Sequence, residues 1–361
     1  MNNRKAAFLN GFQQIKRKSR LSRKNTTLGV ITPSLYNRRG MPETNQIIQG
    51  DCIKVLNDGP EGWIDLVFAD PPFNIGYLYH GYNDERKTED YLKFSEDWMT
   101  AVHRALKPSG SFYLAIGDEY AADLAVIARR QIGFHMRNWI IWHYTFGQQT
   151  KKMFAKSHTH ILYFSKSKPS DGLENITFNA DAVRVASARQ TTYADSRANP
   201  KGKLPDDTWY LRPQETTEEF FAPDSDTWNV SRVCGTFKER EGWHGCQMPI
   251  QVLDRIIKAS SNPGDIVLDP FNGSGTTAVS AALLGRKYVG IDQSAEYVEF
   301  ARKRLQHALE SAEKNGKSAA IADPHRESRV LTATDAFGRK RVARKRAGAS
   351  MNGKKVLTQT A

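Results

Sequence analysis

The stretch DIVLDPFNGSGTTAVSAALLGRKYVGID, residues 265 to 292, limits the fold more than any other part of the 361-residue chain. An apolar run ends in Asp269, and a turn carries Gly273 and Gly275. An Ala-rich segment then runs to Gly285, and a second apolar run ends in Asp292. Strand, glycine turn, helix and strand in that order make a parallel βαβ unit. Glycines in such a turn let the backbone approach a ligand, and an acid after the second strand suits the two hydroxyls of a ribose. The turn is neither GxGxxG nor a P-loop, because no Gly-Lys-Ser/Thr follows the glycines. It points to a nucleoside cofactor at the carboxyl edge of a parallel sheet.

The rest of the chain supports that architecture. NQIIQGDCIKVL reads as a short strand, a Gly50-Asp51 break and the start of a helix or turn. IDLVFA, residues 64 to 69, reads as a buried strand. YLKFSEDWMTAVHRAL places Leu92, Trp98, Val102 and Leu106 at helical spacing and stops at KPSG. SFYLAI, WIIWHY and HILYFSK are strand-like, and EYAADLAVIARRQIG is a helix closed by Gly133. PIQVLDRIIKAS is amphipathic, with Val252, Leu253, Ile256 and Ile257 on one side. The expected fold is α/β, Rossmann-like, with a mostly parallel central sheet covered by helices on both faces. Between about 168 and 240 the pattern gives way to polar, irregular sequence. A structureless loop of that length is unusual in a compact domain, so an inserted recognition element is expected there.

Charge is unevenly placed. Residues 1 to 40 hold ten Lys/Arg and no acid, and residues 314 to 361 hold twelve against three acids. With +13 overall, these tails carry +10 and +9 and leave residues 41 to 313 at −6. Such arms suit a phosphate backbone. Any positive groove on the folded body must therefore be local. Cys52, Cys234 and Cys246 form no CxxC pair, which argues against a disulfide framework or a zinc-thiolate site and for a reducing compartment. No apolar run reaches transmembrane length, and the N-terminus lacks the apolar stretch of a signal peptide. A cytoplasmic, nucleoid-associated location is expected.

A second motif, FADPPFNIGY, ends the strand at 64 to 69 with two prolines, neither of which can donate to a ladder. The chain thus leaves the sheet abruptly and presents Asp70 and Phe73 at its edge. Alone this is a turn. Together, GDCIKVL, DPPFNIGY, LKPSGSFYL and DPFNGSGTTAVSAALLGRKYVGID resemble, in that order, the S-adenosylmethionine-dependent DNA amino-methyltransferases of the permuted beta group, which act on adenine N6 or cytosine N4. The resemblance covers roughly residues 46 to 310.

It implies a specific chemistry. The exocyclic amine of a base is a poor nucleophile because its lone pair is delocalised into the ring. Two acceptors on its N–H groups favour a pyramidal nitrogen and stabilise charge as the methyl arrives. The family assigns these roles to the motif's aspartate and first proline carbonyl, here Asp70 and Pro71, within a catalytic set Asp70, Pro71, Pro72 and Phe73. Phe73 would stack on the extruded base, returning roughly 1–3 kcal/mol against a flipping cost of a few kcal/mol. The implied cofactor residues are Asp51, Cys52, Asp70, Asp269, Phe271, Asn272, Gly273, Ser274, Gly275, Thr276 and Asp292, with S-adenosyl-L-methionine as cofactor and no metal. A ring-carbon cytosine methyltransferase needs Pro-Cys, whereas Cys52, Cys234 and Cys246 follow Asp, Val and Gly.

Where many relatives carry HPTQKP, this chain has HGCQMP, residues 244 to 249, so His244, Gln247 and Pro249 match and the lysine is missing. The segment 144 to 160, with Phe154, Lys156 and His158, is a candidate to hold the flipped nucleotide, and Arg184, Arg189, Arg197 and Asn199 are candidate readers of DNA. The organisation implied is a flexible basic arm at 1–45, a methyltransferase domain at 46–313 with its target-recognition region at about 168–240, and a disordered basic tail at 314–361. Asp at the first motif position favours adenine N6 as the target. The alternatives are cytosine N4 and an inactive DNA-binding descendant. The partner is double-stranded DNA, with no membrane, and a cognate restriction endonuclease and a homodimer are compatible with the family.

Overall fold

The computed structural model describes residues 43–79, 82–148, 152, 154, 156–168, 170, 176–185, 187, 189, 193, 195–209 and 246–314. Both basic tails, apart from residues 43–45 and 314, together with Cys234, His244 and residues 210–245, lie outside them. The elements are β1 (Gln46–Gln49), α1 (Cys52–Asn57), β2 (Ile64–Ala69), β3 (Tyr77–Tyr79), β4 (Tyr82–Asp84), α2 (Thr88–Ala105), β5 (Leu106–Ile116) and α3 (Ala121–Val126). They continue with β6 (His135–Gln148), β7 (Lys156–Ser165), β8 (Thr208–Trp209), α4 (Ile250–Ser260), β9 (Ile266–Asp269), α5 (Thr276–Leu283), β10 (Lys287–Asp292) and α6 (Ala295–Lys314).

Eight strands form one sheet in the order β1-β10-β9-β2-β5-β7-β6-β8, and β3 and β4 form a separate hairpin. From β1 to β5 every pairing is parallel. β7 then runs antiparallel to both β5 and β6. The largely parallel sheet expected from the βαβ alternation is therefore present, with an antiparallel hairpin added on one side.

Sheet order brings the two motifs together. β2 lies beside β9, with Leu66 level with Val267 and Val67 level with Leu268. From β2 the chain proceeds to β5 on one side; from β9 it proceeds to β10 on the other. The crevice between their carboxyl ends is a topological switch point, where open α/β sheets bind ligands. At the opposite end, Asp65 accepts from the Ile266 N–H at 2.9 Å and pairs with Lys107 at 2.7 Å, tying β2, β9 and the start of β5 together.

Apolar periodicity explains the layers. Trp98, Met99 and Val102 of α2 bury against Phe112, Leu114 and Phe164 on one face. On the other, Val252, Leu253, Ile256 and Ile257 of α4 bury against Leu66, Phe68, Tyr113 and Val267, which is the amphipathic side read from the sequence. A third cluster joins α5 and α6 to Ile47 of β1.

Three local readings are refined. The Ala-rich segment 121–132 begins as α-helix and widens to a π-helix over Ile127–Ile132, closing at Gly133 with φ 101°. The KPSG stop ends α2 at Ala105, yet β5 begins at once at Leu106, and a register shift between Ile64 and Leu66 absorbs the irregularity. Within the polar region, residues around Asn179 pack onto the body. The Asn179 side chain donates to the carbonyls of Lys258 and Ser261 at 3.2 and 2.8 Å, capping the end of α4. Among the described residues no helix is long and apolar enough to cross a membrane.

Candidate active site

At the carboxyl edge of β2, β9 and β10 lies a cavity of about 380 Å³, within the range of small-molecule sites. Asp70 and Pro72 from the first motif line it together with Asp269, Phe271, Asn272, Gly273, Ser274 and Thr276 from the second and Asp292 beyond. Cys52, from the GDCIKVL segment, lines it as well. Residues separated by nearly two hundred positions therefore share one wall.

The glycine turn is held by the acids on either side of it. Asp269 accepts from the Phe271 N–H at 3.0 Å and from the Thr277 hydroxyl at 2.6 Å. Burial pushes its pKa from the ordinary 3.8 to about 7 against those two donors, and Asp292 adds in the same direction. Asp292 accepts from the N–H groups of Gly273 at 2.8 Å and Ser294 at 2.9 Å. Burial raises its pKa too, opposed by the same two N–H groups. Arg304 of α6 donates to the Ser274 carbonyl at 3.0 Å and to the Thr276 hydroxyl at 2.8 Å, fixing the far side of the turn. Asn272 is 3% exposed, and among the described residues both polar atoms of its side chain lack a hydrogen-bond partner. Orphaned polar atoms of this kind are costly unless a ligand satisfies them.

The two glycines have different jobs. Gly273, with φ 45°, faces the cavity. Gly275, with φ 77°, is not in its lining, and a Cβ there would sit 2.9 Å from the Ala301 Cβ of α6. Its lack of a side chain allows two helices to approach. Asp51 likewise serves locally: it caps α1 by accepting from the Lys54 N–H at 3.0 Å, and it accepts from Gln293 at 3.1 Å. Asp51 does not line the cavity, while its neighbours Gly50 and Cys52 and its partner Gln293 do. Burial pushes the Cys52 thiol to about 12, with Asp51 adding to it, so this sulfur is an inert neutral wall.

The DPPF turn is braced by residues that motif reading did not find. The Tyr91 hydroxyl donates to the Pro72 carbonyl at 2.8 Å. Asp84, fully buried at the end of β4, accepts from the N–H groups of Asn74 at 2.9 Å and Ile75 at 3.3 Å. Burial raises its pKa, opposed by these N–H groups and that of Phe73. Asn74, with φ 57°, donates through its side chain to the Tyr120 hydroxyl at 2.9 Å and accepts from the Arg86 N–H at 2.7 Å. The one local signal for this brace is an Asn before Ile-Gly, since Asn tolerates the left-handed region. Phe73 and Pro71 lie outside the cavity lining. The Phe73 ring packs on Gly117, where an added Cβ would meet it at 3.2 Å.

The cavity wall also includes Arg86, Phe94, Met248 and Tyr297. The Arg86 guanidinium lies 4.2 Å from the Phe94 ring centroid, and Phe271 packs edge-on against Trp98 at 5.1 Å. Of the candidate nucleotide contacts, Phe154 is 96% exposed, Lys156 pairs with Asp118 at 3.0 Å, and His158 packs on His160 at 4.8 Å. Among the candidate DNA readers, Arg184 is committed internally, to Asp181 at 2.8 Å and the Gly202 carbonyl at 2.9 Å. Arg189 and Arg197 are more exposed and share Asp195, at 3.3 and 2.9 Å, and Asn199 accepts from the Lys201 N–H at 2.9 Å.

An open, largely parallel sheet carrying DPPF and DPFNGSGTT side by side on one cavity defines a methyltransferase of the amino-group type. The chain belongs to the DNA methylase family that modifies N6 or N4 amino groups, whose family model matches residues 64–303. It is 35% identical over 260 residues to the Type II methyltransferase M.HpaI of Haemophilus parainfluenzae, covering 72% of this chain and 74% of that one. It is also 35% identical over 269 residues to the DNA adenine methyltransferase YhdJ of Escherichia coli (strain K12), covering 74% and 84%. Among solved structures, the cytosine-N4-specific PvuII DNA methyltransferase shares the fold, with a TM-score of 0.51 at 17% identity over 76% of this chain and 95% of that one.

Proposed function

We propose that this DNA amino-methyltransferase transfers a methyl group from S-adenosylmethionine to N6 of an adenine turned out of double-stranded DNA. The observation that carries the reading is the single cavity shared by Asp70 and by Asp269, Gly273 and Asp292. Its lining fits this donor. Asp292 is the acid expected to hold a ribose, the apolar lining residues Phe271 and Cys52 suit an adenine ring, and the unpartnered Asn272 carboxamide offers a donor and an acceptor. When bound, the donor supplies an electrophilic sulfonium methyl. Asp70 accepts one N–H of the target amine. The family resemblance gives the second N–H to the carbonyl of Pro71, while Tyr91 holds the neighbouring Pro72 carbonyl. Phe73, backed by Gly117, offers a ring face to the extruded base. The brace from Asp84, Asn74 and Tyr120 keeps these acceptors in place, so little reorganisation is needed as charge develops.

Adenine is favoured by the aspartate at the head of the motif and by the likeness to the enzyme named as a DNA adenine methyltransferase. The same reading includes a cytoplasmic protein acting on chromosomal DNA and a cognate restriction endonuclease, the latter supported by the likeness to Type II methyltransferases. The test is transfer of labelled methyl groups to genomic DNA, followed by nucleoside identification. N6-methyladenine is the expected product. N4-methylcytosine would redirect the target, and absence of product would identify an inactive DNA-binding descendant.

A further inference from the structure

The turn after the catalytic motif displays an apolar side chain in a way loose loops do not. Ile75 is 65% exposed, yet its backbone is held at every step. Asn74 and Gly76 adopt φ 57° and 72°. Asp84 accepts from Asn74 and Ile75 through its carboxylate, and from the Gly76 N–H through its carbonyl at 2.6 Å. The Asn74 side chain is locked between Arg86 and Tyr120. Asn is one of the few side chains that tolerate the left-handed region, and a buried carboxylate is unfavourable unless it is hydrogen-bonded. Here both serve to point an isoleucine at solvent, two residues past Phe73. Water is a poor neighbour for that side chain, so the arrangement calls for an apolar surface brought to this edge by the substrate.

A duplex that has lost one base from its stack has such a surface: the exposed faces of the flanking base pairs. Apolar side chains inserted between base steps are a general means of holding DNA unstacked, and extrusion is costly unless the gap is filled. We infer that Ile75 is a wedge that enters the DNA stack beside the extruded nucleotide and keeps the vacated space from closing. This rests on the DNA reading above and adds a positioning residue to it.

Genomic DNA used as duplex and after heat denaturation separates the two ideas, because single strands have no stack to hold open. For Ile75→Ala, initial rates of labelled methyl transfer should fall about tenfold or more on duplex and stay within about twofold of the unmodified protein on single strands. Calorimetric affinity for S-adenosylmethionine should be unchanged, and Ile75→Leu should retain duplex activity. Unchanged duplex rates in Ile75→Ala, or equal losses on both substrates, would overturn the wedge while leaving the methyltransferase reading intact. An unmodified protein that labels neither form would remove both.

Discussion

Replacing Asp269 by asparagine should remove most of a pH dependence of cofactor affinity that the unmodified protein shows near neutrality. Burial raises this carboxyl to about 7, and Asp292 reinforces the shift. S-adenosylmethionine carries one net positive charge, from a sulfonium, an ammonium and a carboxylate, and a cation in this cavity favours the ionised form of both acids. Affinity is then fully present above the raised pKa and lost as pH falls through it. For a group at about 7 held ionised in the complex, affinity should fall about tenfold from pH 8 to pH 6, or about 1.4 kcal/mol. Asparagine keeps the shape, and the Thr277 hydroxyl can turn to accept from its amide. Titration calorimetry at pH 6, 7 and 8, in buffers of different ionisation enthalpy, reads both quantities. About half a proton should be released per cofactor at pH 7 by the unmodified protein and far less by Asp269→Asn. A flat affinity in the unmodified protein, or the same tenfold change in the variant, would refute the assignment. In the free protein the sign is opposite: stability present below pH 3.8 is lost as pH rises through about 7, so the variant's melting temperature should gain on the unmodified protein's across that window.

Asp70→Ala should remove methyl transfer by orders of magnitude while cofactor affinity, measured by calorimetry, stays within about threefold; simultaneous loss of both would assign Asp70 to the fold instead. Gly290→Ala, at a position outside the cavity lining, should weaken cofactor binding, because a Cβ on β10 collides with the side chain of Asn272, which lines it. Overpacking of this kind costs about 1–3 kcal/mol, and unchanged affinity and melting temperature would show that Asn272 moves aside freely. Asp84→Ala strips the acceptor from the Asn74 and Ile75 N–H groups and should lower unfolding free energy by about 2–4 kcal/mol, with methyl transfer falling more than cofactor affinity. Equal losses in the two functions would mean that the turn is not separately braced.

Much of this protein could be read from local sequence. The strand, turn and helix around residues 265 to 292 needed only apolar runs, glycines and terminal acids, and α4 announced its buried side through Val252, Leu253, Ile256 and Ile257. These signals are local because secondary structure and amphipathicity have short periods. Roles that depend on distant partners were less visible. Gly275 looks like a ligand-facing glycine in the motif, yet its neighbour is Ala301 of another helix. Arg184 looks like a free basic residue until the Gly202 carbonyl is placed beside it.

By itself the sequence determined the class of fold, the family and the two motifs that meet in the cavity, since residue type and order are sufficient for each. Sheet topology decided the rest. It set β2 beside β9, buried Asp269 so that its carboxyl titrates near neutrality, and put Asp84, Tyr91 and Tyr120 beneath the DPPF turn. Burial and hydrogen bonding are properties of neighbours in space. In a parallel sheet those neighbours come from crossovers tens to hundreds of residues long, which no local pattern records.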